Sequence, residues 1–379
     1  MKKIYFLLCF ALLSLFFVSC KDDNPAETTQ TENEKIINQL KFFTDSLMEN
    51  TEMSGICAVV IDHKKGLNWS YAAGFASIPD KQPLSLENTF RIGSVTKTMV
   101  ATVALQLIDE GKLSLTDKLS KFFPQYPKAD SVTILMLLNM RSGIFSYTSD
   151  SLFNHLVFGG GNPTKVWTPQ ELVDLSFSHP YDFSPGTSYY YCNTNYIILG
   201  LIIEQITGNQ LDAELNTRIF QKLQLTNTGL LNSGLTFPGN NAKGYYYGDY
   251  IENDDHTNRY DISWAWAAGS AYSTPLELVK YVEALVKGGL LSEAMQEKRL
   301  SEHFTAEDDI ISYGLGIKRF GSFYGHTGAL PGYQTNIWHS KEKDATIVIC
   351  FNCTLYPNNP FTALTVNFIK TMYGEDYSY

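Results

Sequence analysis

The order of apolar and polar positions divides the chain into three stretches. In the first, Ile36, Leu40, Phe43 and Leu47 recur at helical spacing and predict an amphipathic helix. Gly55 to Asp62 predicts a strand, His63-Lys64-Lys65-Gly66 a turn, and Leu67 to Ala73 a second strand, together a hairpin. From Ser94 to about Asp109 a mostly apolar run fits a buried helix that ends at Gly111. The middle of the chain, about 115–260, differs in kind: helix-like stretches over 131–140, 168–177 and 195–207 alternate with loops rich in Gly, Asn, Pro and Tyr. The last third returns to strand patterns over 313–320, 322–327, 334–340 and 345–351, with a turn at 341–344 and a closing helix near 361–373. Strands at both ends and helices between them predict an α+β fold. One antiparallel sheet is built from both chain ends and flanked by helices, with a mainly helical insertion over about 115–260.

The first residues fall outside this pattern. Lys2 and Lys3 precede an apolar run from Ile4 to Val18, too short to span a membrane and suited to a signal peptide over residues 1–19. Phe17-Val18-Ser19-Cys20 resembles the bacterial lipobox, with Phe where Leu is usual. Cys20 is therefore the expected lipidated residue, and a plain secretory signal is the alternative. Residues 21–34 hold no large apolar residue, so 20–34 reads as the lipidated Cys and a flexible tether, and 35–379 as the folded domain. Lys21-Asp22-Asp23 resembles a surface-export signal. The expected location is the bacterial cell envelope: a lipoprotein of the outer membrane, facing the periplasm or the surface and held by its N-terminal lipid.

Composition narrows the function classes. With 44% apolar and 18% charged residues among 379, a sizeable core is available. A formal charge of −10 argues against a nucleic-acid surface. Cys350-x-x-Cys353 invites a metal or redox reading, but it lies in a strand pattern, where residues three apart face opposite sides. No second CxxC or HxxxH accompanies it. No metal or organic cofactor is expected, and Cys57, Cys192, Cys350 and Cys353 read as buried free thiols.

Three short motifs carry the chemistry. Ser94-Val95-Thr96-Lys97 opens the buried helix. Ser94 has an ordinary use there as an N-cap, but a first-turn Lys opposes the helix dipole and breaks the capping-box preference for Glu or Gln. Three residues apart, Ser94 and Lys97 share one helix face. A Lys whose charge is disfavoured can take the Ser proton, and a backbone N–H at a helix start can face an oxyanion. Ser340-Lys341-Glu342-Lys343 has the same spacing but falls in an exposed turn. Tyr191-Cys192-Asn193 offers a proton shuttle and an amide; His326-Thr327-Gly328 offers a strand edge that a substrate backbone can approach. Each motif alone has an equally good structural use.

Together and in this order, SxxK, YxN and HTG resemble the serine penicillin-recognising enzymes: class C β-lactamases, serine D-Ala-D-Ala carboxypeptidases and related esterases. Phe90-Arg91-Ile92-Gly93, the stretch Gly111 to Asp117, Leu137 to Ile144, Asn193 to Tyr196 and Ala267 to Thr274 match too, so the resemblance runs from about residue 36 to about 370. It implies a β-lactamase/transpeptidase-like fold. It also implies an acyl-enzyme on Ser94, with Lys97 and Tyr191 passing the proton to the leaving group. Asn193, His326, Thr327 and Gly328 would bind substrate, and the backbone N–H groups of Ser94 and Ala329 would form the oxyanion hole.

The function this implies is an envelope serine hydrolase acting on a small-molecule or peptide substrate: an ester, an amide, a D-amino-acid peptide or, weakly, a β-lactam. His326 stands where class C β-lactamases have Lys, which argues against a dedicated β-lactamase; Ala329 lacks the hydroxyl of some relatives, which argues against recognition of a free C-terminal carboxylate. Cys192 stands where Ser is common. Trp264, Trp266 and Tyr272 either wall an acyl pocket or are core aromatics. An acyltransferase that passes the acyl group to an alcohol or amine is one alternative, and a binding module without turnover is another. A Ser-His-Asp hydrolase is excluded by the lack of a G-x-S-x-G elbow.

Overall fold

The structure is a computed structural model that describes residues 25–51, 53–248, 251–308, 310–355 and 360–375. The leader, Cys20 and the first part of the tether lie outside these residues. Helix α1 (Pro25–Asn50) carries the apolar repeat and begins eleven residues before Ile36, so residues 25–34 are helical rather than irregular. Strands β1 (Gly55–Asp62) and β2 (Leu67–Ser77) form the expected hairpin. A short β3 (Gln82–Pro83) follows β2 at the sheet edge.

The C-terminal third supplies the rest of the sheet: β4 (Thr305–Ala306), β5 (Ile311–Tyr313), β6 (Lys318–Phe320), β7 (Phe323–Leu330), β8 (Tyr333–Ser340) and β9 (Ala345–Phe351). The order is β3-β2-β1-β9-β8-β7-β6-β5-β4, so the last long strand pairs with the first, antiparallel. In that register Cys57 stands opposite Cys350; both are buried and free, as are Cys192 and Cys353. The stretch 313–320, expected as one strand, is instead a hairpin. Gly316 turns at φ +65°, and a Cβ there would lie 2.2 Å from the Ala101 methyl. The turn residues Gly314-Leu315-Gly316-Ile317 alternate small and apolar as a strand can, so alternation alone did not reveal the turn.

The central strands are apolar on consecutive positions because both sheet faces are covered. Along β1, Ile56, Ala58 and Val60 face one core, and Cys57 and Val59 the other. The first core is closed by α1 and the C-terminal helix (Phe361–Tyr373), which pack on each other and on the sheet. The second holds helix α2 (Thr96–Asp109) and helix α3 (Asn193–Thr207), the backbone of the helical insertion. Every residue of α2 from Thr96 to Leu105 is buried, Lys97 included. Near 131–140 the helix is shorter than expected, Ile134–Leu138, capped by the Thr133 hydroxyl.

Candidate active site

The approach to Ser94 is fixed by backbone. Gly93 sits at φ +52° and opens a 3-10 turn, Gly93–Val95, from which α2 continues. A Cβ at Gly93 would lie 2.7 Å from the Ala329 backbone nitrogen, so both the dihedral and the space require glycine. From β7, a Cβ at Gly328 would lie 2.0 Å from the Ile92 carbonyl oxygen and 3.2 Å from the Ser94 nitrogen. The nucleophile turn and the strand edge are thus in backbone contact, and Ser94 and Ala329 both line the same cleft. Ser94 is not a cap: the cap position is Ile92, without a side-chain bond.

Ser94 Oγ instead lies 3.0 Å from Lys97 Nζ, which donates to the Ala268 carbonyl oxygen at 2.6 Å. Lys97 is fully buried, and its Nζ stands 5.0 Å from the centre of the Tyr191 ring and 5.7 Å from that of Tyr196. Burial drives its pKa well below the ordinary lysine value; Cys192 opposes this and the Lys318 charge adds to it. A neutral amine that donates to Ala268 keeps a lone pair for the Ser94 proton. The Tyr191 hydroxyl is buried without a geometrically sound hydrogen bond. Burial pushes its pKa far up, although the nearby Ser94 hydroxyl pulls it down.

The cleft is open, with a volume of about 290 Å³. Of the residues expected there, Ser94, Tyr191, Thr327, Gly328 and Ala329 line it. Lys97 meets the cleft only through Ser94, and two others stand elsewhere. Asn193, the first residue of α3, donates from Nδ2 to Thr148 Oγ1 at 3.1 Å and is not a lining residue. His326 points to the opposite side of β7 from Thr327, as alternation along a strand requires. Its Nδ1 is 2.5 Å from the Thr327 carbonyl oxygen and its Nε2 3.2 Å from the Tyr313 hydroxyl. A carbonyl only accepts, so Nδ1 carries the proton and Nε2 accepts from Tyr313. Burial first, then the Lys318 charge, holds the His326 pKa well below its usual value, so the ring is neutral.

Cys192 points away from the cleft, its Sγ donating to the Ile144 carbonyl at 3.1 Å. Trp264 and Trp266 are core aromatics, packed around Phe153 and against Gly200, and neither lines the cleft. Glu307, Lys318, Gln334, Asn336, Phe361 and Thr362 do line it, and no motif announced them. The one signal available was the charged pair Lys318-Arg319 inside the strand pattern. Among the described residues no group of His, Cys, Asp and Glu is placed to hold a metal ion.

A family model described as Beta-lactamase matches residues 43–366. A D-aminopeptidase of Brucella anthropi is 29% identical over 308 residues, which is 79% of this chain and 56% of that protein. The chain spans about three fifths of the length of the curated relatives it matches. Among solved structures, a D-stereospecific amidohydrolase from Streptomyces sp. superposes with a TM-score of 0.79 at 26% identity, over 89% of this chain and 99% of the other. The D-amino acid amidase from Ochrobactrum anthropi SV3 gives a TM-score of 0.77 at 26% identity, over 90% and 99%.

Proposed function

Since the chain belongs to the Beta-lactamase family of serine hydrolases, we propose that it hydrolyses amides or short peptides of D-amino acids through an acyl-enzyme on Ser94. The observation that carries this is the 3.0 Å contact between Ser94 Oγ and the Nζ of a fully buried Lys97. The D-configured amide as substrate class rests on the likeness to the D-aminopeptidase, the D-stereospecific amidohydrolase and the D-amino acid amidase.

In acylation the Ser94 Oγ–H proton passes to Lys97 Nζ as Oγ bonds to the substrate carbonyl carbon. The oxyanion faces the backbone N–H groups of Ser94 and Ala329. Tyr191, held between Lys97 and the cleft, relays the proton to the leaving nitrogen as the C–N bond breaks. Water entering the open cleft then attacks the ester, and the same relay runs in reverse.

The test is intact mass after a fluorophosphonate probe, beside Ser94→Ala, followed by rates on paired D- and L-phenylalanine amides. One adduct, absent from the variant, with the D-amide cleaved at least tenfold faster, is the expected result. No adduct on folded protein overturns the serine mechanism. An adduct with no preference for the D-amide overturns only the substrate class, and a new amide formed when an amine is added would make the protein an acyltransferase.

A further inference from the structure

The cleft holds a charge pair that the proton path above leaves unused. Lys318 Nζ donates to Glu307 Oε1 at 2.8 Å, and both side chains line the cleft beside Ser94 and Tyr191. Lys318 is 7% exposed, and its Nζ stands 5.7 Å from the centre of the Tyr191 ring. The fold puts it there. Lys318 pairs with Gly325 across β6 and β7, one residue before His326. The turn at Gly316 that broke the expected strand is what brings it alongside.

His326 cannot supply a cation to this place. Both of its ring nitrogens are engaged on the core side, by the Thr327 carbonyl and the Tyr313 hydroxyl. A second ring proton would face a phenol that already donates to it. Lys318 reaches the Tyr191 ring from the neighbouring strand instead.

We propose that Lys318, anchored by Glu307, is a positioning residue for acylation: beside the Tyr191 ring that Lys97 also approaches, its cation adds to burial in disfavouring a second cation on Lys97 and so favours the free amine that takes the Ser94 proton. A cation near a buried amine disfavours a second cation there, whereas at Tyr191 burial first, and the Glu307 charge with it, raises the phenol. Lys318 itself neither gains nor loses a proton in the step. The inference rests on the Ser94 acyl-enzyme reading.

The other groups around the relay do not supply this charge. Lys97 faces Tyr191, Cys192 and Tyr196 from the α3 side, and Lys318 from β6. Tyr191 faces Tyr147, Tyr189, Tyr196 and Tyr313, besides His326, Glu307 and the two lysines. Burial raises all these phenols and pushes Cys192 to about 11, which leaves them neutral at pH 7. Arg299, the further buried cation nearby, is turned to the Thr98 and Gly316 carbonyls and the Thr102 hydroxyl.

The experiment measures Ser94 labelling by an uncharged fluorophosphonate between pH 5 and 10 in the wild type, Lys318→Met and Lys318→Arg. In Lys318→Met the rising limb should move up by about one pH unit, so labelling on that limb slows about tenfold. Lys318→Arg should restore the wild-type curve. An unmoved curve in Lys318→Met overturns the proposal. So does a slowing confined to substrates that carry a free carboxylate, which would make Lys318 a substrate-binding residue. A second readout is independent of turnover: the ε-carbon of Lys97 titrated by NMR in protein carrying ¹³C-lysine. Its midpoint should be higher in Lys318→Met, and equal midpoints overturn the role. Failure of the wild type to label at all would sink the hydrolase reading, while this titration would still decide the part played by Lys318.

Discussion

The two faces of the sheet use the same strands for opposite purposes. On one face, Ile56, Val60, Ile347, Ile349 and Phe351 meet Phe368 and Ile369 of the C-terminal helix in a core of apolar side chains. On the other, the cluster around α2 and α3 surrounds Lys97, Arg299 and His326, all buried. The first face gains stability by removing apolar surface from water. The second spends part of that gain on keeping a lysine uncharged and a histidine neutral. The difference teaches where to look for chemistry in this fold: on the face whose burial costs something that packing does not return.

The sharpest way to break this contrast is Lys97→Met. Activity and probe labelling should fall about a thousandfold or more, as for loss of the base of a nucleophile. Stability at pH 7 should hold or rise by about 1–2 kcal/mol in urea unfolding, because a desolvated amine is replaced by an apolar chain of similar length. Burial depresses the folded pKa, so between that value and the ordinary lysine value the unfolded chain binds a proton that the folded one does not, and folding loses stability over that window. A large destabilisation would mean that Lys97 is a structural cation.

Phe368→Ala tests the other face. Phe368 is fully buried and meets Trp69 edge-on, with ring centres 5.8 Å apart. Unfolding free energy should drop by about 3–5 kcal/mol, while the labelling rate per folded molecule stays within about twofold. A tenfold loss of rate would show that the two faces are coupled, and the division drawn here would fail.

The smallest effect is in pH. His326 is buried and neutral, and burial also lowers the pKa of His339, to about 4. Each has a folded pKa below its unfolded value, so stability is present above about pH 6.5 and is lost as pH falls toward the folded pKa. Between pH 7 and pH 5 the wild type should lose about 1–3 kcal/mol, and His326→Gln should lose less over the same range. An identical slope in the variant would place the protonating group elsewhere.

Much of this was legible in the chain itself. The hairpin at Gly55, the last two long strands, the buried helix after Ser94 and the closing helix follow from local periodicity and turn residues, because each is a near-neighbour pattern. The three motifs also sufficed to bring Ser94, Lys97, Tyr191 and the Thr327–Ala329 edge to one place. Two details had to wait for the fold, each for its own reason. The stretch 313–320 reads as one strand because its turn, Gly314-Leu315-Gly316-Ile317, keeps an apolar residue at every second position. His326 stands behind the cleft lining, its ring 6.3 Å from that of Tyr191, because its motif does not say which side of the strand it takes.

Residues a few positions apart set the order of the main elements and the placing of Ser94 beside Lys97 at the start of a buried helix, so both could be read along the chain. What only the tertiary structure decided was which charges meet. Glu307, Lys318 and Tyr191 come from separate parts of the chain, and Lys318 stands beside Gly325 only through the pairing of β6 with β7. Electrostatic influence depends on distance in space and on burial. Neither is set by spacing along the chain, so the environment of the reacting serine had to wait for the fold.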